Sequence, residues 1–239
     1  MPGHRVGVGA YSNFVDLNRR ESVAGADFVA HATNSITHDA TDQAVMQTHE
    51  SLAAIFASAR AIAGSADYRV GPVAIPARRT GRFAPSAGTR SAGASDDPRQ
   101  HGHFAAAWLV GYAAEAARAG IDAVTFGSLT GPAGAVDDDG KPRPIFHVLR
   151  LLFAASAQPA VSLTFAADDL RGLAWVDGGN VSMLIANQTP RPQQLASPGL
   201  IALAILDAGS KGGFAEVDAK AGKIELDGYA VAHGLALQR

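Results

Sequence analysis

Three side chains that could activate water or hold a hydroxyl group lie close together in "FVAHATNSITHDATD", residues 28–42. Asn34, His38 and Asp39 follow an apolar run that is typical of a buried strand. His38 is a candidate general base, and Asp39 could orient its imidazole or bind sugar hydroxyls. However, Asp39 and Thr41 are also suited to cap the following helix, with His38 as a solvated loop residue. The stretch is therefore either the rim of an active site or a loop before a capped helix.

Arginine side chains follow the next apolar strand along the chain. The segment "PARRTGRFAPSAGTRSAGASDDPRQ", residues 76–100, is too long and too rich in Gly, Ser, Arg and Pro for a simple connection. Because guanidinium groups bind carboxylates and oxyanions, Arg78, Arg79 and Arg82 are candidates for holding a carboxylate product or a developing oxyanion. A solvated loop would also be rich in arginine, and the sequence leaves that alternative open.

Further polar side chains lie at the start of a predicted helix and after the first strand. In "DDPRQ", Asp97 is suited to cap a helix that has Pro98 in its first position. Arg99 in the same motif is undecided between substrate binding and a structural role. Three side chains after the first strand suit hydrogen bonding to a polyol: Tyr11, Asn18 and Arg19.

Neither a metal nor a cofactor is expected. Four side chains could be assembled into a metal site but lack H-E-x-x-H or a comparable spacing: His31, His38, Asp39 and Asp42. The stretches "GVGAYS" and "GSLTGPAG" lack the residue order of a phosphate-binding loop. His101 and His103 would point to opposite sides if their segment were extended.

Composition limits the possible partners. The chain has 239 residues, of which 47% are hydrophobic and 18% charged, as in soluble globular proteins. A net charge of −2, a pI near 6.4 and scattered Lys and Arg argue against nucleic acid. The absence of cysteine excludes disulfides and thiolate chemistry and favours a cytoplasmic location. No apolar stretch reaches the roughly 18 residues of a membrane helix, so no membrane partner is expected.

Strand and helix patterns alternate over residues 1–157. Continuous apolar strands followed by amphipathic helices predict an α/β fold with a parallel sheet covered by helices. Four such β/α units make half of an eight-stranded TIM-type barrel. A half-barrel has two open edges, which another half-barrel, a second copy or a further domain would have to cover. The predicted strands are 5–11, 26–33, 68–75 and 121–128, and the predicted helices are 42–64, 101–120 and 144–157.

Residues 158–239 follow a different pattern. Short alternating or apolar runs are separated by Gly, Asp, Asn and Pro, and "VDGGNV" is the clearest hairpin turn in the chain. We therefore predict a half-barrel domain over 1–157 and a small antiparallel β-sandwich-like domain over 158–239.

Several motifs, taken in order, resemble the D-apionate lactonase family. They are "LNRR" (17–20), "THDATD" (37–42), "DPRQ" (97–100) and "PIFHVL" (144–149), followed by "GLAWVDGGNVSMLIANQTP" (172–190). The resemblance implies the second half of a barrel similar to those of glycoside hydrolases, followed by a small β-domain. It covers most of this chain but only the C-terminal portion of the family's length.

Two departures from these related barrels affect the expected chemistry. "VGPVAIPARR" (70–79) ends without the carboxylate that glycoside hydrolases of this class carry there, so two-carboxylate glycoside cleavage is not expected. "TFGSLTGPAG" (125–134) lacks the acidic and aromatic residues expected after the last strand of the lactonases.

The resemblance implies the opening of a sugar-acid lactone by water activation and oxyanion stabilisation. His38, Asp39 and Arg79 are then the expected catalytic residues. The expected substrate-binding residues are Tyr11, Asn18, Arg19, Asn34, Arg82 and Arg99. The alternative is a non-catalytic carbohydrate-binding or assembly subunit, or a truncated pseudoenzyme, that needs a partner half-barrel. The expected partners are a small sugar acid or lactone and a second copy or another chain that completes the barrel.

Overall fold

The computed structural model describes residues 3–10, 12–20, 22–36, 39–76, 96–165, 168–196, 199–219 and 222–238. These residues form two compact units, which we call the sheet unit and the sandwich unit. The sheet unit comprises 1–97 and 118–133, and the sandwich unit comprises 98–117 and 134–239. The division into a half-barrel domain, 1–157, and a β-sandwich-like domain, 158–239, stays a prediction.

A parallel sheet of four strands organises the sheet unit. Strands β1 (Gly7–Ala10), β2 (Phe28–His31), β3 (Asp67–Val73) and β4 (Ala123–Phe126) pair in chain order. Every pairing is parallel, which confirms the predicted β/α architecture, with strands shorter than the apolar runs. In the described part of the chain, β1 and β4 each pair on one side only. Both edges therefore present unpaired backbone groups.

Helix α2 (Asp42–Ala63) follows β2, and its bounds agree with the predicted 42–64 to within one residue. The Thr41 hydroxyl accepts a hydrogen bond from the Ala44 amide at 3.3 Å, and Gly64 ends the helix with a φ of 58°. Its apolar stripe is buried, and Phe56 packs edge-on against Tyr68 of β3 with ring centroids 6.3 Å apart. The large buried side chains of the stripe are Val45, Met46, His49, Leu52 and Phe56.

A short helix after β1 was not predicted. Helix α1 (Phe14–Asn18) has only five residues and a single buried side chain, Leu17. One turn is too short to produce a helical repeat in the sequence, and it is held by packing rather than by propensity.

Two helices and a short 3-10 turn belong mainly to the sandwich unit. The 3-10 helix spans Pro98–His101, α3 spans His103–Arg118 and α4 spans Pro144–Ala154. Pro144 is the first residue of α4, where its missing N–H leaves no hydrogen bond unmade. None of the described helices has the length and apolar character needed to cross a bilayer.

The antiparallel strands form two sheets around one hydrophobic core. The tight turn of the longest hairpin is Gly178–Gly179, with φ values of 55° and 87°, which confirms the turn predicted from "VDGGNV". The core lies between the sheets and includes Leu170, Ile185, Leu195, Leu203 and Leu226. The larger sheet has the order β10 (Ala215–Glu216), β9 (Leu200–Leu206), β12 (Val231–Leu237), β7 (Asn180–Asn187), β6 (Leu170–Asp177), β5 (Ala160–Val161). The smaller sheet pairs β8 (Gln193–Ala196) with β11 (Lys223–Leu226).

Helix α3 is joined to the antiparallel strands by polar contacts as well as by packing. The Gln188 side chain donates to the Ala107 carbonyl at 2.8 Å. Arg171 of β6 forms an ion pair with the buried Glu115 carboxylate, also at 2.8 Å. These contacts fix one face of α3 against the end of the β6–β7 hairpin within the sandwich unit.

Candidate functional site

The carboxyl ends of neighbouring strands in the sheet unit are held side by side. After β1 and β2, the Ala32 amide donates to the Ser12 carbonyl at 2.8 Å. After β3 and β4, the Gly127 amide donates to the Val73 carbonyl at 2.8 Å. Because the carboxyl ends of parallel strands carry the functional groups in β/α folds, this edge is the expected position of a site.

Asn34 and Asp39 lie after β2, and each stabilises a local turn. The Asn34 side-chain oxygen accepts from the Ile36 amide at 3.1 Å, and Asp39 Oδ1 accepts from the Thr41 amide at 2.8 Å. Hydrogen bonds from the Thr41 backbone and then from its side chain lower the pKa of the Asp39 carboxyl. Asp39 is therefore an ionised, exposed carboxylate next to the N-terminus of α2.

The other predicted site residues are only partly placed. Asn18 ends α1 and Arg19 follows as its C-cap, both exposed. Arg99, in the sandwich unit, holds its guanidinium over the Phe104 ring, 5.5 Å from the centroid. The predicted residues that lie outside the described part of the chain are Tyr11, His38, Arg78, Arg79 and Arg82.

His31, which the sequence allowed as a metal ligand, is a core residue. Its ring is completely buried; Nδ1–H donates to the Ala32 carbonyl at 2.9 Å, and Nε2 accepts from the Tyr68 hydroxyl at 2.6 Å. Burial lowers the pKa of His31, with the hydrogen bond to Ala32 opposing this effect. The described residues contain no group of three or more His, Asp or Glu that could hold a metal ion.

A cavity of about 400 Å³ in the sandwich unit is lined by several basic side chains. His101 and His103 both line it, and the prediction that they point to opposite sides, which assumed an extended segment, does not apply. The segment is not extended: the 3-10 helix ends at His101 and α3 begins at His103. The charged and imidazole side chains on its wall are His101, His103, Asp137, Lys141, Arg143 and His147.

The cavity brings together three segments that are far apart in the sequence. It is lined by the 3-10 helix and the start of α3, by the segment from Asp137 to His147, and by the end of β9 with the loop that follows it, which contributes Ser210, Gly212 and Gly213. The sequence shows the three histidines, but no sequence pattern indicates that they line one cavity, because that depends on tertiary packing.

The fold defines a class of protein: a partial TIM-type β/α barrel followed by an antiparallel sandwich. A GH30 endoxylanase from Clostridium papyrosolvens has this fold, with a TM-score of 0.58 over 99% of this chain and 57% of the enzyme. CelM2, a bifunctional glucanase-xylanase from a metagenome library, gives 0.57 over 94% of this chain and 45% of that protein. Each is 10% identical in sequence, so the likeness concerns the fold alone.

The chain belongs to the D-apionate lactonase family. Residues 1–157 match the family's TIM barrel domain, and residues 167–233 match its C-terminal immunoglobulin-like domain. A D-apionate lactonase from Brucella anthropi is 40% identical over 164 residues. That match covers 64% of this chain and 27% of the relative, so the chain corresponds to about a quarter of the length of that protein.

Proposed function

We propose that the chain is a carbohydrate hydrolase of the lactonase type that opens the lactone of a sugar acid, with the lactone of D-apionate as the first candidate substrate. The observation that carries the proposal is the ordered match to both domains of the D-apionate lactonase family, over 1–157 and 167–233. The described rim of the sheet supports it, since polar side chains follow β2 at the carboxyl edge.

The proposed reaction adds water across the acyl carbon–oxygen bond of the ring. A base removes a proton from water as the water oxygen bonds to the carbonyl carbon. The bond from that carbon to the ring oxygen then breaks, and the ring oxygen leaves as a hydroxyl group after receiving a proton from the protonated base. The product is an open-chain hydroxy acid, which ionises and releases one proton to the solution.

We assign the base to His38 and oxyanion stabilisation to Arg79. The Asp39 carboxylate, which follows His38 directly, orients the imidazole or accepts hydrogen bonds from substrate hydroxyls. Its lowered pKa keeps it ionised at neutral pH and suits it to accepting rather than supplying a proton. An ester needs only one activated water and a stabilised oxyanion, so these roles do not require a second catalytic carboxylate.

Substrate binding is assigned to the polar side chains that the sequence predicts for this role. Asn34 uses its side-chain oxygen in the turn to Ile36, which leaves its amide nitrogen to donate to a sugar hydroxyl. The exposed Asn18 and Arg19 are assigned to hydroxyl and carboxylate contacts. The remaining assigned residues are Tyr11, Arg82 and Arg99.

The role of His38 is tested by lactone hydrolysis, followed as proton release in weakly buffered solution. We expect His38→Gln to lower kcat/KM by about 100-fold or more, as for the loss of a general base. His4→Gln is the matched control, because His4 is exposed and precedes β1. Equal rates for the two variants would contradict the assignment.

Asp39→Asn separates a catalytic role from the stabilisation of the turn before α2 in the same assay. An asparagine oxygen can accept the same hydrogen bond from the Thr41 amide, so the turn and the stability are retained. We expect the hydrolysis rate to fall while the urea midpoint stays unchanged. An unchanged rate would mean that Asp39 only stabilises the turn before α2.

A second candidate function is an assembly subunit that binds sugar without turnover and completes its barrel with another polypeptide or a second copy. The observation that favours it is the pairing of β1 and β4 on one side only within the described residues. Parallel sheets in β/α proteins either close into a barrel or have their faces and edges covered by other elements. Saturable binding of a sugar acid by a folded chain that does not hydrolyse any sugar-acid lactone would favour this function.

A further inference from the structure

We propose that the histidine-lined cavity of the sandwich unit is a binding site for a small polyhydroxylated carboxylate. All of its lining residues belong to the sandwich unit, 98–117 and 134–239. A cavity of about 400 Å³ lies within the range of small-molecule sites. That the physiological ligand is a sugar acid rests on the proposed function; the carboxylate chemistry rests on the cavity itself.

Three side chains on the wall have hydrogen-bond donors that are not used elsewhere. None of His103, His147 and the Lys141 ammonium makes a side-chain hydrogen bond among the described residues, and only His103 interacts electrostatically with a carboxylate, that of Asp207. The lysine adds a full positive charge, and each imidazole offers a donor in either protonation state. Donors that converge on one cavity without internal partners are suited to an anion.

The backbone adds to the positive potential. Helix α3 begins at His103 and helix α4 begins at Pro144, and both residues line the cavity. The N-terminus of a helix carries about half a positive charge from the aligned peptide dipoles. Helices of 16 and 11 residues therefore both direct their positive ends at the same space.

The His147 ring is held in place by the loop after β9. A Cβ atom on Gly213 would lie 3.0 Å from Cε1 of His147, and the φ of Gly213 is 147°. Only a glycine readily combines this backbone conformation with so close an approach. Phe146 packs edge-on against the same ring, with centroids 5.7 Å apart. His147 is therefore positioned before any ligand arrives, which reduces the ordering that binding requires.

One acceptor on the wall favours a hydroxylated anion over a bare one. Asp137 Oδ1 accepts from the amides of Asp139 at 3.1 Å and Lys141 at 2.8 Å, which holds the carboxylate in place. Its Oδ2 atom has no partner among the described residues. A carboxylate there repels a simple anion but accepts a hydrogen bond from a hydroxyl group. A molecule with a carboxylate at one end and hydroxyls at the other satisfies both parts of the wall.

The proposal is tested by NMR titration of the full chain, observing the imidazole C–H signals of His103 and His147. Sodium D-gluconate is the probe, D-glucitol is the neutral polyol without the carboxylate, and inorganic phosphate is the anion without the polyol. We expect gluconate to shift both histidine signals saturably. Glucitol and phosphate should each bind at least about tenfold more weakly, since each loses a charge-assisted or hydroxyl contact.

Lys141→Gln and Lys223→Gln form a matched pair of variants. Both lysines are exposed and both lie in the sandwich unit, but Lys223 is on β11 and does not line the cavity. We expect Lys141→Gln to weaken gluconate binding by about tenfold and Lys223→Gln to leave it unchanged.

Three results would overturn the proposal: unshifted His103 and His147 signals, equal effects of the two lysine substitutions, or phosphate binding as tight as gluconate binding. The last result would identify a general anion site. Binding is read at His103 and His147 and needs no turnover, so it is independent of the lactonase proposal. His38→Gln is expected to retain gluconate binding at this site even where it abolishes hydrolysis.

Discussion

The imidazole of His31 is buried and hydrogen-bonded at both ring nitrogens, to the Ala32 carbonyl and the Tyr68 hydroxyl. Protonation would place a positive charge in the core, and Nε2 could no longer accept the hydrogen bond from Tyr68. Burial therefore lowers the pKa of His31. In the unfolded chain the same group titrates near 6.5. Between the lowered value and 6.5, the unfolded state binds more protons than the folded state.

The free energy of unfolding is therefore expected to fall as the pH drops below about 6.5. Urea unfolding at pH 7.5 and 5.5 measures this change. His31→Gln should make the free energy of unfolding depend less on pH, because glutamine does not titrate. His4→Gln, at an exposed position, should leave the pH dependence unchanged. A slope that is the same in wild type and His31→Gln would contradict the role of His31. Burial also lowers the pKa values of His103, His147 and His233, so these histidines add to the slope in the same direction.

For individual residues, the sequence predicts which side chains belong to the candidate site but not their hydrogen-bond partners. Asn34 and Asp39 were singled out because they follow an apolar strand, and the structure places them there. That each accepts a hydrogen bond from a backbone amide two residues further on depends on local dihedral angles that the sequence does not specify. For His101 and His103 the sequence predicts a helix from residue 101, but their common cavity depends on tertiary packing that the sequence does not specify.

Helix α2 is the element whose ends the sequence predicts best. A threonine before the helix and a glycine after it are both found in capping positions. The Thr41 hydroxyl satisfies the Ala44 amide, one of the first amides of the helix without an internal partner. By contrast, α1 lacks both a helical repeat and a side-chain cap hydrogen bond, so nothing in its sequence distinguished it from a loop.

Replacing Thr41 with alanine should lower the free energy of unfolding by about 1 kcal/mol. Ser51→Ala is the control, because Ser51 is exposed in the helix interior, where alanine is favourable. Urea midpoints of the two variants measure the difference. A Thr41→Ala chain as stable as Ser51→Ala would show that the cap contributes nothing to the fold.

At the scale of the whole chain, the alternation of strand and helix predicted the parallel sheet, and the short turn-separated runs predicted the antiparallel strands. Which residues form a compact unit was not predictable, because α3 joins the antiparallel strands through Glu115, Gln188 and their partners. Such contacts link residues more than 50 positions apart and have no local signature. Among the described residues β1 and β4 each pair on one side only, so a closed barrel would need further strands at both edges.

The most direct test of the account is lactone hydrolysis by the full chain, measured in each fraction of a size-exclusion run with the mass determined by light scattering. We expect hydrolysis of the lactone of D-apionate to co-elute with a folded species and to be lost in His38→Gln. The mass of the active species then shows whether one chain or several complete the barrel. A folded species of any mass that binds the sugar acid but hydrolyses no lactone would contradict the proposed activity and leave the assembly subunit as the function.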